Sequence, residues 1–305
     1  MTPIRTLDEL VSSLRARPAR HVAVAAGHDP HTIEAAARAV REGIARVTLV
    51  GDAARIDALC EVQGLDRGAF TVIGEPDVAA AGLRARDLVR DGRADVLMKG
   101  LIPTADYMKS ILDKERGLLP PGAVLTHLSV MELPAHSARH GKLLFVSDVA
   151  IIPLPDLATK KQILRCCVDA AHSFGLERPL AALLAASEKV SPKMPATVEA
   201  AAIAADAAAE FPDAVVDGPL ALDVAISPEA CAIKGLDSPV GGAADILVFP
   251  NIESGNVFYK AGTLLSGGRL AAAVVGTSSP CVLTSRADTE ESKFLSIALG
   301  CRLVR

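Results

Sequence analysis

Three times in its first hundred residues the chain repeats one order: a short run rich in β-branched residues, a polar turn, then an Ala-rich segment with helical spacing. HVAVAAG (21–27) leads to DPHTIEAAARAVREG (29–43), RVTLVG (46–51) to DAARIDALCEVQG (52–64), and FTVIG (70–74) to EPDVAAAGLRARDLVRDG (75–92). Strands separated by helices of that length read as β-α units feeding a parallel sheet, because parallel neighbours need a crossover of a dozen residues or more. A fourth unit follows, ADVLMKG (94–100) with the helix TADYMKSILDKE (104–115) and Pro103 at its first turn. The fold class expected is therefore α/β.

The pattern outlasts one domain. Beyond the Pro120-Pro121-Gly122 turn come strand signals in VLTHLSVMEL, LLFVSDVAII, LAALLAA, AVVDGPLALDVAIS, DILVFPN and AAAVVG, interleaved with a helix from Asp156 and another after Pro195. About ten strands exceed one simple doubly wound sheet, and 305 residues exceed one ordinary core, so two domains are expected.

Composition removes several function classes. The net charge is −4 and there are two Tyr, seven Phe and no Trp. The chain thus lacks both the basic stripe and the stacking platforms of a nucleic-acid binder. No window approaches the ~18 uninterrupted apolar residues of a membrane span. The amino terminus alternates charged and apolar residues without the apolar core of a signal peptide, so it reads as a surface helix and the protein as cytoplasmic. Six cysteines without CxxC spacing read as reduced, mostly buried thiols.

Ligands of open parallel sheets bind beyond the carboxyl ends of the strands. Four polar stretches follow apolar runs: Lys99-Gly100; Asp217-Gly218; Asn251, Glu253, Asn256 and Lys260; and Thr277, Ser278, Ser279, Ser285, Arg286 and Asp288. Asn256 and Lys260 are four residues apart and share a helical face if a helix opens near Ser254 or Gly255; the competing reading makes Asn251 and Ser254 caps and points Lys260 into water. Asp288 with Glu291 fits a capping-box variant as well as it fits chemistry. Asp217 reads equally as a ligand residue and as the holder of its turn. Ser285 and Arg286, between a strand and a helix start, suit a phosphate, since backbone N–H groups and a guanidinium fork both favour anions. Glu290 and Glu291 in the same turn would oppose tight holding and favour transient binding. There is no GxGxxG, no GxxxxGK[ST], no HExxH and no zinc-type spacing; His127, inside an apolar run, reads as a core histidine.

At these same stretches the sequence resembles the phosphate acetyltransferase and phosphate butyryltransferase family, more closely the butyryltransferase side. The matching segments are ADVLMKGLIPTADYMKSILDKERGL, KLLFVSDVAIIPLPDL, VVDGPLALDVAISPEA, SPVGGAADILVFPNIESGNVFYKAG and GTSSPCVLTSRADTEESKFLSIAL, in family order across nearly the whole chain. The resemblance implies two parallel-sheet α/β domains of the isocitrate/isopropylmalate dehydrogenase type with an interdomain cleft, the first at 1–118 plus 270–305 and the second at 119–269. It implies exchange of a short acyl group, of butyryl or acetyl type, between coenzyme A and inorganic phosphate. It also implies coenzyme A as a substrate, no tightly bound cofactor, no metal and a homo-oligomer.

By the same resemblance Ser285, Arg286 and Asp288 are the catalytic candidates. Arg286 is assigned to the phosphate and Ser285 to the acyl oxygen or phosphate. The base that takes the thiol proton lies in the Asp288–Glu291 region. Lys99, Thr104, Asn256, Lys260, Thr277 and Ser278 are the substrate-binding candidates. Lys109 and Leu119 stand where close butyryltransferase relatives tend to carry arginine. Two other readings are a hydroxy-acid dehydrogenase of the same broad fold and a non-catalytic binding protein for acyl-CoA or acyl phosphate.

Overall fold

Aspartates open the early helices. The computed structural model describes residues 2–284 and 288–305. It begins with α1 (Leu7–Arg15), β1 (Arg20–Ala25), α2 (Pro30–Arg41), β2 (Ala45–Gly51), α3 (Ala53–Gln63), β3 (Phe70–Gly74), α4 (Val78–Arg90), β4 (Val96–Lys99) and α5 (Thr104–Leu112). The carboxylates of Asp29, Asp52 and Asp77 accept the backbone N–H groups of Thr32, Arg55 and Ala80, capping α2, α3 and α4. The α5 helix stops at Leu112, short of the DKE expected to extend it, because Asp113 turns back to accept the N–H groups of Glu115 and Arg116.

The chain continues through β5 (Thr126–Glu132), α6 (Pro134–His140), β6 (Leu144–Ser147), α7 (Leu157–Ser173), β7 (Leu180–Leu184), α8 (Pro195–Glu210), β8 (Val215–Leu220), α9 (Leu222–Ile226), α10 (Pro228–Ile233), β9 (Ile246–Val248) and α11 (Ile252–Leu264). It returns through β10 (Arg269–Val275) and β11 (Cys281–Val282) to α12 (Glu290–Leu303).

These elements fall into two compact units, one of Leu7–Leu125 with Ala271–Arg305 and one of Met1–Thr6 with Thr126–Leu270. The sequence placed the first crossing at 118. In the structure the segment after the proline turn, through Leu125, stays with the first unit, where Gly276 packs so closely on the Val124 carbonyl that a Cβ there would overlap the oxygen. The first residues go with the second unit, where the Ile4 N–H donates to the Phe174 carbonyl at 2.9 Å.

In the first unit the strand order is β3-β2-β1-β4-β11-β10, parallel as far as β11, with β10 antiparallel to it. In the second it is β5-β6-β9-β7-β8, with β5 antiparallel to β6 and the rest parallel. Within each unit the strands are thus parallel in their main part, as the β-α alternation implied. The antiparallel members are what the sequence pattern did not show. Apolar runs such as β1 and β4 are buried on both faces, which suits strands covered by helices on either side.

Candidate active site

In the first unit the carboxyl end of β4 carries Lys99, whose Nζ donates a hydrogen bond to the Gly100 carbonyl oxygen at 3.3 Å. Only 3% of Lys99 is exposed. Gly100, just past β4, lies against the end of β1: its N–H donates to the Ala25 carbonyl at 2.9 Å, and a Cβ on it would collide with the Ala26 carbonyl. Ala26 itself is left-handed, with φ of 55°. Such residues cost of order 1–3 kcal/mol and gather where function over-determines the backbone. Thr104 opens α5 and is exposed; Pro103 occupies the cap position before it.

The two-residue strand β11 fixes what else shares this edge. Cys281 pairs with Leu97 and Val282 with Met98 in parallel register, so Leu283 and Thr284 leave β11 on the side where Lys99 ends β4. The buried Tyr107 hydroxyl lies 3.0 Å from the Leu97 carbonyl and 3.1 Å from that of Val282, tying α5 to both strands. Burial, with Cys281 beside it, raises the Tyr107 phenol well above its ordinary range, so it stays a donor.

Ser285 and Arg286 lie outside the described residues. Asp288 follows them, and the cap of α12 falls to Thr289, which accepts the Ser292 N–H at 3.2 Å. In place of the capping box expected at Asp288 the helix has a simple cap one residue further on, because α12 begins at Glu290. That helix is held to α2: Lys293 Nζ pairs with Asp29 Oδ2 at 3.0 Å, Arg38 with Glu290 at 3.3 Å, and the Arg38 guanidinium lies 4.0 Å from the Phe294 ring centre. Burial pushes the Asp29 carboxyl up, but hydrogen bonds from Thr32 and Lys293 outweigh it and the net shift is downward.

Thr277 and Ser278 are placed elsewhere. They belong to the turn that enters β11, at the opposite end of that strand from Thr284. The Thr277 hydroxyl donates to the Ser279 carbonyl at 2.7 Å, a bond internal to the turn. The structure does not gather them with Lys99 at one sheet edge.

In the second unit β6 and β9 end together, Ser147 opposite Val248. Antiparallel β5 brings its first residues, Thr126 and His127, to the same edge. Here sits Asp148, 2% exposed, which the sequence reading passed over. Its Oδ2 accepts the Thr126 hydroxyl at 2.7 Å and the His127 N–H at 2.9 Å; its Oδ1 accepts the Ala150 and Ile151 N–H groups, both at 2.7 Å. The one signal in the sequence was the Ser-Asp pair directly after LLFV.

Helix α11 opens at Ile252 and not at Ser254, and Asn251 is its cap, accepting the Ser254 N–H at 3.0 Å. Gly255 packs on the Asp148 carbonyl so closely that a Cβ there would overlap the oxygen. Asn256 then donates from Nδ2 to the Val149 carbonyl at 2.9 Å. Lys260, one turn on, is exposed. Asp217 holds its turn: it accepts the Gly218 N–H at 2.8 Å and the Ser238 hydroxyl at 2.5 Å. His127 is buried, as its apolar run implied, and meets the Tyr259 ring edge-on at 6.2 Å.

Comparison with known proteins decides the lineage. The profile of the family described as Phosphate acetyl/butaryl transferase matches residues 6–81 and 77–301. The chain belongs to that family. It is 41% identical over 298 residues to the phosphate butyryltransferase of Clostridium acetobutylicum, covering 97% of both chains. It is 40% identical over 295 residues to the phosphate acetyltransferase of Thermotoga maritima, covering 96% of this chain and 98% of that one. The crystal structure of a branched-chain phosphotransacylase from Enterococcus faecalis superposes with a TM-score of 0.82 at 35% identity, over 93% of this chain and 99% of that one.

As a family member the protein is an acyltransferase. The dehydrogenase alternative is not favoured by these relatives. Lys109, at one of the two positions where the family resemblance led to an expected arginine, is largely exposed and lies 3.4 Å from Asp106.

Proposed function

We propose that this protein catalyses acyl-CoA + phosphate ⇌ acyl phosphate + coenzyme A for a short acyl group of butyryl or acetyl type. The observation that carries this reading is the near-full-length likeness to enzymes named phosphate butyryltransferase and phosphate acetyltransferase. The chemistry needs donors for two charges, the oxyanion raised on the acyl carbon by the attacking thiolate and the departing phosphate. Arg286 is assigned to the phosphate, Ser285 to the acyl oxygen or phosphate, and Asp288 to the thiol proton. Lys99 and Thr104 are assigned to substrate binding from the first unit, and Asn256 and Lys260 from the second; Thr277 and Ser278 remain candidates at the entry to β11.

The protein is proposed to act as a cytoplasmic homo-oligomer. No helix among the described residues is long and apolar enough to cross a membrane. The exposed side of α11 and the residue after it present Val257, Leu264 and Leu265 at 68%, 80% and 85% exposure, an apolar stripe suited to a second copy.

The test is release of free coenzyme A from acetyl-, propionyl- and butyryl-CoA on adding phosphate or arsenate. Thiol is expected with at least one of them, and none with any would sink the proposal. Replacing Arg286 by Ala is expected to lower turnover on the order of 10²-fold or more, the usual cost of losing a preorganised charge donor; an unchanged rate would remove Arg286 from the mechanism.

A further inference from the structure

The amide of Asn256 has only one way to face. A carbonyl oxygen accepts and never donates, so the bond to the Val149 carbonyl at 2.9 Å must come from the Asn256 NH2 side. That sends Oδ1 in the other direction. The Val149 carbonyl is in turn fixed: the neighbouring Asp148 takes four hydrogen bonds, two from the loop that contains Val149 and two from the start of β5. Gly255 lets α11 settle directly on the Asp148 carbonyl. The orientation is therefore built into the fold of one unit, from a buried carboxylate outward.

An outward carbonyl oxygen suits some ligands and repels others. Phosphate and acyl phosphate at neutral pH offer mainly acceptor oxygens, which a second acceptor does not bind. Coenzyme A carries two amide N–H groups on the arm that ends in its thiol. Charge for an anionic portion is available from Lys260 on the same face, whose side chain makes no ion pair or hydrogen bond with another described residue.

We infer that Asn256 recognises an amide N–H of the coenzyme arm through its carbonyl oxygen, and that Asp148 is the positioning residue that holds it so through the Val149 loop. This rests on the acyl-transfer reading for the identity of the ligand, but its test does not need turnover. Titration calorimetry with coenzyme A, with inorganic phosphate, and with a coenzyme analogue in which esters replace the arm amides reads it directly.

Asn256→Ala is expected to weaken coenzyme A binding about tenfold, the loss of one buried hydrogen bond, with phosphate binding changed less than twofold. The ester analogue should bind the wild type about tenfold more weakly than coenzyme A, and the variant no more weakly than coenzyme A does. Asp148→Asn sets an NH2 group against the His127 N–H, and Gly255→Ala pushes α11 off the Asp148 carbonyl; the variant that folds should show the same selective loss and the same indifference to the ester, which general destabilisation would not produce. Weakened phosphate binding with intact coenzyme binding in Asn256→Ala, equal discrimination against the ester by wild type and variant, or no coenzyme binding by the wild type would each overturn the inference. Coenzyme binding without turnover would overturn the catalytic proposal alone.

Discussion

His136 on α6 is buried, its ring 4.7 Å from that of His140, and neither of its nitrogens has a hydrogen-bond partner. Burial first, then the positive charges of His140, Lys142 and Arg139, lower its pKa from 6.5 to about 4. The ring is therefore neutral in the folded protein at pH 6, while in the unfolded chain it is largely protonated there. Stability tied to this group is intact above about pH 6.5 and falls as the pH drops toward 4, because over that window the unfolded state binds the extra proton. The full effect is of order 3 kcal/mol. Urea unfolding between pH 7 and pH 4.5 should show a decline in wild type that is shallower by that margin in His136→Leu; parallel curves would show that His136 does not carry it.

Helices and central strands were legible in the sequence because their signals are local. Asp29, Asp52 and Asp77 announce three helix starts, and the apolar runs of β1, β2 and β4 announce buried strands. What escaped was pairing. Nothing in Cys281-Val282 distinguishes a two-residue strand from loop, yet its register against Leu97 and Met98 separates Thr277 and Ser278 from Thr284. Nor does Thr126–Glu132 reveal that it runs against β6, which is what brings Thr126 and His127 to Asp148. Asn256 and Lys260 share a face of α11 through their spacing of four, while Asn251 is the cap and Lys260 is exposed, as the competing reading of that stretch had it. The start of α12 is fixed by its ion pairs to α2. Lys293→Ala would leave the Asp29 carboxylate without its buried cation, at a cost of about 3 kcal/mol, read as a lower urea midpoint; an unchanged midpoint would mean that the pair with Asp29 holds nothing.

For the whole molecule the family assignment spans nearly the full length, residues 6–81 and 77–301. If copies associate through α11, Leu264→Glu with Leu265→Glu should reduce the mass found by light scattering to the 31.6 kDa of one chain, while an unaltered mass would place the contact elsewhere. The central claim is that the acyl group passes to phosphate and not to water. Phosphorus NMR of butyryl-CoA, inorganic phosphate and the protein tests it most directly. An acyl phosphate resonance that grows in step with free coenzyme A is expected. Coenzyme A released with no acyl phosphate, or no release at all, would contradict it.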